Sequence, residues 1–282
     1  MLFRCMRKSK FACFKSIAIL LVLLCSFLGG CGQQKDQAAV NKADIGKEIV
    51  VGVDDYPPFN FPDENGKPTG IDIELAQEAF KRLGYTPRFV RIDWDHKDAL
   101  LASGEIDCVW SCYSMKGRET RYKWAGPYMV SSQVVAVRND SNIKHLADLS
   151  GKVVAVQSST RPESIFLNKE GEHIPEIGQL YSVESRDLIY AMLGKGYVDA
   201  LAAHATAINQ YNKDYTMNYR ILPEPLMTTG IGAAFYSKDK RGIAEDLDKT
   251  LTKMRKDGTM KKILEKYLDE ADSYLEVEKL EH

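Results

Sequence analysis

The chain has 282 residues, 44% hydrophobic and 27% charged, with a formal net charge of −1. That is globular composition, at a length that suits two domains better than one. Arg4, Arg7, Lys8, Lys10 and Lys15 fall in the first thirty positions, and no acid does. The remainder is therefore more acidic than the whole, which argues against a basic face for nucleic acid.

Residues 1–30 read as a secretion signal, with the basic residues ahead of the apolar run Ile17–Leu28. That run is shorter than the roughly 20 residues a bilayer-spanning helix needs. It ends in Leu28-Gly29-Gly30-Cys31, which resembles a bacterial lipobox. The resemblance implies lipid transfer to the Cys31 sulfur and cleavage before it; the alternative is an uncleaved anchor helix. Either way the body is expected outside the cytoplasm and tied to a membrane. Residues 31–47 are polar and read as a flexible tether.

After cleavage Cys31, Cys108 and Cys112 remain. Four residues of strand span roughly 13 Å, beyond the roughly 7 Å Cα separation a disulfide tolerates, so Cys108 and Cys112 are expected as small buried fillers. No CxxC or HExxH spacing is present, and neither metal nor cofactor is expected.

The body then alternates. Glu48–Val53 reads as a strand, Ile73–Leu83 as a helix capped by Gly84, and Phe89–Ile92 as a second strand. Asp95–Ser103 follows as a helix capped by Gly104, and Ile106–Trp110 as a third strand. This order implies an α/β fold with parallel pairing and helical crossovers. Gln133–Arg138 is the expected first crossing strand. Lys152–Gln157 is a strand, followed by a turn in which Thr160 and Glu163 have capping-box spacing and Pro162 suits a first helical turn. Gln179–Val183 and Val198–Ala203 are strands and Arg186–Leu193 a helix. Ile231–Tyr236 is the expected return crossing. Ile243–Arg255 and Met260–Leu268 are amphipathic helices, and the charged C-terminal end is expected to fray.

In parallel sheets ligands bind beyond the carboxyl ends of the strands. Here those ends present Asp54 with Tyr56, then Trp94, then Ser111, Ser114 and Arg118. A guanidinium grips a carboxylate with two parallel hydrogen bonds, and serine hydroxyls can take the remaining lone pairs. Two aromatics and a cation suit a small solute with an anionic end. The competing reading is core packing for Tyr56 and Trp94, and a solvated surface pair for Arg118 and Glu119.

Several stretches, in order, resemble the bacterial extracellular solute-binding proteins of the polar-amino-acid type that serve ATP-driven importers. They are VDDYPPFNF, GKPTGIDIELAQEAFKRLG, IDWDHKDALLASGEIDCVW, GRETRYKWAGPY, LSGKVVAVQSSTRPESIF, GYVDALAAH and DGTMKKILEKY, together covering about Glu48 to Tyr267. The resemblance implies two α/β lobes joined by two crossing strands, closing on a ligand. Lobe 1 would be residues 48–136 with 231–270, lobe 2 residues 137–230, and 271–282 a tail. It also implies that Arg118 clamps a ligand carboxylate with help from Ser114, although the segment between them is one residue shorter than the family pattern. Tyr56 and Trp94 would flank the ligand, with Asp54 near its polar groups. The turn through Gln157, Ser159 and Thr160 would supply backbone donors. Relatives usually place an aspartate for the ligand ammonium where this chain has His204. Either Asp54 and the aromatic faces hold the amine, or the solute is not an ordinary α-amino acid, or His204 lies off the ligand. Arg161 is expected to face solvent.

The expected function is a monomeric, lipid-anchored receptor that delivers an amino acid or amino-acid-like solute to the membrane subunits of an ABC permease, without chemistry. The alternatives are an enzyme on the same fold resembling cyclohexadienyl dehydratases, and a ligand-sensing module for a signalling receptor.

Overall fold

The computed structural model describes residues 47–171 and 173–280. The leader, Cys31 and nearly all of the tether fall outside them. Strand β1 (Lys47–Val53) is followed by a small ribbon of β2 (Phe61–Pro62) and β3 (Pro68–Thr69). Helix α1 (Ile71–Arg82) buries Ile71, Leu75, Ala76, Ala79 and Phe80, a stripe at helical spacing. Asp72 and Glu74 occupy its first turn and Lys81 and Arg82 its last, as the helix dipole favours. Then come β4 (Tyr85–Arg91), α2 (Lys97–Ser103) and β5 (Cys108–Ser114).

The second half continues with the long β6 (Tyr122–Val137), β7 (Val153–Gln157), α3 (Arg161–Asn168), β8 (Gln179–Val183), α4 (Arg186–Gly194), β9 (Ala200–His204) and α5 (Ala205–Asp214). The chain returns through β10 (Arg220–Ile221) and β11 (Met227–Tyr236) to α6 (Ile243–Lys256), α7 (Thr259–Leu264) and α8 (Ala271–Tyr274).

The main sheet runs β4-β1-β5-β11-β6-β9-β7-β8. At one end β4, β1 and β5 are parallel, and at the other β9, β7 and β8 are parallel. Antiparallel β11 and β6 join them. The two lobes thus share one hydrogen-bonded path. Separate buried clusters cover the two faces at each end, as parallel sheets require.

Three expectations are corrected. β5 does not stop at Trp110; Ile231 of β11 pairs with Ser114, so Ser111 and Ser114 are strand residues. The first crossing strand starts at Tyr122 rather than Gln133, because its first half pairs along β11. The C-terminal end does not fray over its described part, since Ala271 and Val277 are buried against the body. Cys108 and Cys112 are buried free thiols.

Candidate functional site

β1 ends at Val53, and the following loop is fixed from below by Ser111. The Ser111 hydroxyl accepts from the Asp54 amide at 3.2 Å and from Asn60 Nδ2 at 3.1 Å. This commits Ser111 to holding the loop that carries Asp54 and Tyr56. Trp94 stands at the entry to α2, edge-on to Tyr113 at 5.2 Å between ring centroids. Past the end of β5, the Arg118 guanidinium lies 4.7 Å from the Tyr113 ring. Arg118 donates to the Ser114 carbonyl at 3.3 Å and to the Ser159 carbonyl at 3.5 Å. Burial presses its pKa downward, and its hydrogen bonds run to carbonyls, none to a carboxylate among the described residues. Glu119 accepts instead from the Gly117 amide, so the surface-pair reading does not hold.

The opposite wall begins where β7 ends at Gln157. Ser159 has φ 56°, a left-handed conformation that turns the chain into α3. The anticipated capping box is not formed. Thr160 Oγ1 donates to the Gln157 carbonyl at 2.6 Å, and Glu163 accepts from the Ser159 amide at 2.7 Å. Arg161 is buried, not solvent-facing; it is paired with Glu170 at 2.7 Å and donates to Ser164 Oγ at 2.7 Å. Its guanidinium rests on Gly117, where an added Cβ would come within 2.9 Å and φ is +79°. The positive φ favours glycine there, while the guanidinium end of Arg161 could shift to make room.

His204 closes β9, directly across from Gln133 of β6. Gln133 Nε2 lies 2.7 Å from His204 Nε2 and 3.3 Å from Ser114 Oγ, and Ser131 Oγ lies 2.6 Å from His204 Nδ1. With the amide donating, Nε2 accepts, and Nδ1 carries the proton towards Ser131. Burial, with Arg186 and Arg118 nearby, lowers the His204 pKa to about 3, so the ring is neutral. Its amide N–H donates to Tyr56 Oη across the cleft at 3.1 Å.

Arg186, the first residue of α4, makes several contacts to the facing wall. It lies 3.3 Å from the Asp54 carboxylate and donates to the Asp55 carbonyl at 2.8 Å and to Gln157 Oε1. Its guanidinium carbon sits 3.3 Å from the centroid of the Tyr56 ring, a stacked cation–π contact. Gln157 Nε2 also donates to Asp54, at 3.1 Å, and Ser158 Oγ to Asp95, at 3.0 and 3.1 Å.

These walls meet around a narrow cavity that is partly open to solvent. Of the residues singled out from the sequence, Tyr56, Trp94, Ser111, Ser114, Arg118, Gln157, Thr160 and His204 line it. Asp54 borders the neighbouring cleft through its contact with Arg186, and Ser159 a third one beside Arg118. Sequence reasoning missed Cys112, Tyr113, Gln133, Arg161 and Arg186, which also line the cavity. Two of these carried a usable signal. Ser131 and Gln133 are polar at a spacing of two within an apolar strand, hence on one face. Arg186 follows the end of β8, another strand end of the kind that located Arg118.

The chain matches the family described as bacterial extracellular solute-binding proteins, family 3, over residues 49–270. It belongs to that family. Among family members, the L-cystine-binding protein TcyA of Bacillus subtilis is 31% identical over 276 residues, covering 94% of this chain and 98% of the relative. The histidine-binding periplasmic protein of Salmonella typhimurium is 29% identical, covering 90% of this chain and 97% of that protein. Among solved structures, an ancestral arginine-binding protein bound to arginine superimposes with a TM-score of 0.71 at 30% identity, over 80% of this chain and all of that one. The fold is thus that of the extracellular solute-binding family. These relatives are named for binding, not for catalysis. Among the described residues the partners of the His204 ring are Ser131, Gln133 and Ser114.

Proposed function

We propose that this family member captures a small amino-acid-like carboxylate outside the cytoplasm and presents it to the membrane subunits of an ABC permease. The observation that carries the reading is Arg118, a partly buried guanidinium on a cavity wall without an acidic partner among the described residues. A partly desolvated charge without a counter-ion is costly, and an incoming carboxylate relieves that cost. The start of α3 approaches the same cavity through Thr160 and Arg161. The positive end of the helix dipole there adds to the pull on an anion.

On this reading Ser114, Gln157 and Thr160 assist Arg118, Trp94 and Tyr56 shape the walls, and Ser111 and Ser159 position the loops. The lobe formed by 48–136 with 231–270 and the lobe 137–230 move together on the solute, which must bind the closed form better than the open one. Cys31 anchors the monomer to the membrane by lipid, and residues 31–47 let it reach the permease. The test is a thermal-shift screen of small carboxylates, because a ligand selective for the folded protein raises Tm. At least one carboxylate should raise Tm in the wild type and leave Arg118→Ala unmoved. Equal shifts in both proteins would remove Arg118 from the site.

A further inference from the structure

An ammonium group entering this cavity needs a carboxylate or an aromatic face to receive it. The carboxylate and the rings that reach furthest into this corner of the cavity already carry a cation of the protein itself, while Asp95 and Glu163, beside it, accept from Ser158 Oγ and the Ser159 amide. The Asp54 carboxylate is 3.3 Å from Arg186. The Tyr56 ring has the Arg186 guanidinium stacked at 3.3 Å. The Tyr113 ring has Arg118 at 4.7 Å, and the Trp94 ring has the Lys97 ammonium at 4.9 Å. Glu170 is paired with Arg161. The cavity wall contains Arg118, Arg161 and Arg186 and not one carboxylate. His204, at the end of β9, and Gln133, inside β6, are uncharged. Gln133 Oε1 is buried and lacks a hydrogen-bond partner among the described residues.

We infer that Arg186 is a resident cation holding the subsite an α-ammonium would otherwise enter, so that the preferred solute is a carboxylate bearing a neutral hydrogen-bond donor. Chemically these are N-acylated amino acids and 2-hydroxy acids. The amide N–H or hydroxyl of such a solute has a ready acceptor in Gln133 Oε1, and its carboxylate meets Arg118. A free amino acid brings a further positive charge between Arg118 and Arg186, with only the neutral Gln133 Oε1 left unpaired to receive it. This inference rests on the carboxylate reading proposed above and narrows it to a class of solute.

The experiment uses matched probes that share a side chain: L-histidine, N-acetyl-L-histidine and imidazole-lactate, and likewise L-cystine with N,N′-diacetyl-L-cystine. Calorimetric titration of the wild type should give the ammonium-free member of a series at least tenfold tighter binding than the amino acid. Arg186→Met frees Asp54 and the Tyr56 face, and should narrow or reverse that ratio. Tighter binding of the free amino acid by the wild type overturns the inference and leaves the carboxylate reading standing. So does a ratio unaltered by Arg186→Met. Failure of every probe, together with small carboxylates that shift wild type and Arg118→Ala alike, overturns the carboxylate reading and this inference with it.

Discussion

The Gln133 amide and the His204 ring face each other at 2.7 Å across paired strands, and between them they fill a corner of the cavity with polar but uncharged groups. A carboxylate at position 204 changes that corner most directly. His204→Asp should shift preference towards free α-amino acids, measured as the ratio of dissociation constants for an amino acid and its N-acetyl form. A gained charge-assisted hydrogen bond is worth roughly 1.5–3 kcal/mol, or one to two decades. An unchanged ratio would place His204 outside the ligand's reach.

Arg118→Ala should abolish binding. Leaving a ligand carboxylate buried and unpaired costs about 3–5 kcal/mol, which exceeds two decades of affinity. Because Arg118 has no carboxylate partner to orphan, the variant should fold normally by circular dichroism. Retained affinity in calorimetry would count against the clamp.

The Arg186–Asp54 pair predicts a change of shape. Both side chains are largely buried, and Arg186 also holds the Asp55 carbonyl across the cleft and Gln157 on its own wall. Arg186→Ala should move the unliganded protein towards an open arrangement. Small-angle X-ray scattering should show a larger radius of gyration for the variant without ligand than for the wild type. Identical curves would mean that the pair does not govern closure.

His204 also makes stability depend on pH, with a definite sign. Its folded pKa is about 3, below the unfolded value of about 6.5. The unfolded chain therefore binds the extra proton between those values, and stability falls as pH drops from about 6.5 towards 3. Asp72 opposes this. Burial lifts its pKa to about 7, so its contribution falls as pH rises from about 4 to 7. The groups around His204 are Ser114, Ser131, Gln133 and Tyr56, with Arg118 and Arg186 nearby. Denaturant midpoints of wild type and His204→Gln, compared from pH 7 to 4, should converge as the pH falls. Parallel curves would contradict a neutral buried ring.

Asp72 is also structural. It accepts from Tyr128 Oη at 2.7 Å, from the Cys112 amide at 2.6 Å and from Asn60 Nδ2 at 3.2 Å. Asp72→Ala orphans three buried donors at about 1–3 kcal/mol each. Chemical unfolding should show a loss of about 3 kcal/mol or more; a loss below 1 would indicate that water replaces the carboxylate.

Local chemistry made much of this site legible. Apolar runs that turn polar marked the ends of β1, β5, β7 and β9, and the residues beyond them line one cavity. Arg118 could be singled out because it follows such an end. What the sequence did not disclose depends on distant pairing. β5 continues to Ser114 only because Ile231, more than a hundred residues later, lies beside it. Arg161 and Arg186 look like ordinary surface charges at helix starts, and only the approach of the two walls buries them. Thr160 and Glu163 have the right spacing for a capping box, yet the left-handed Ser159 hands Glu163 to a different amide.

The same strand that carries Gln133 to the cavity also crosses from one half of the sheet to the other. On the function proposed above, recognition and bending would share one piece of backbone. A substitution there that retuned which solute is held would also reset how readily the molecule flexes, so selectivity would not evolve independently of mechanics.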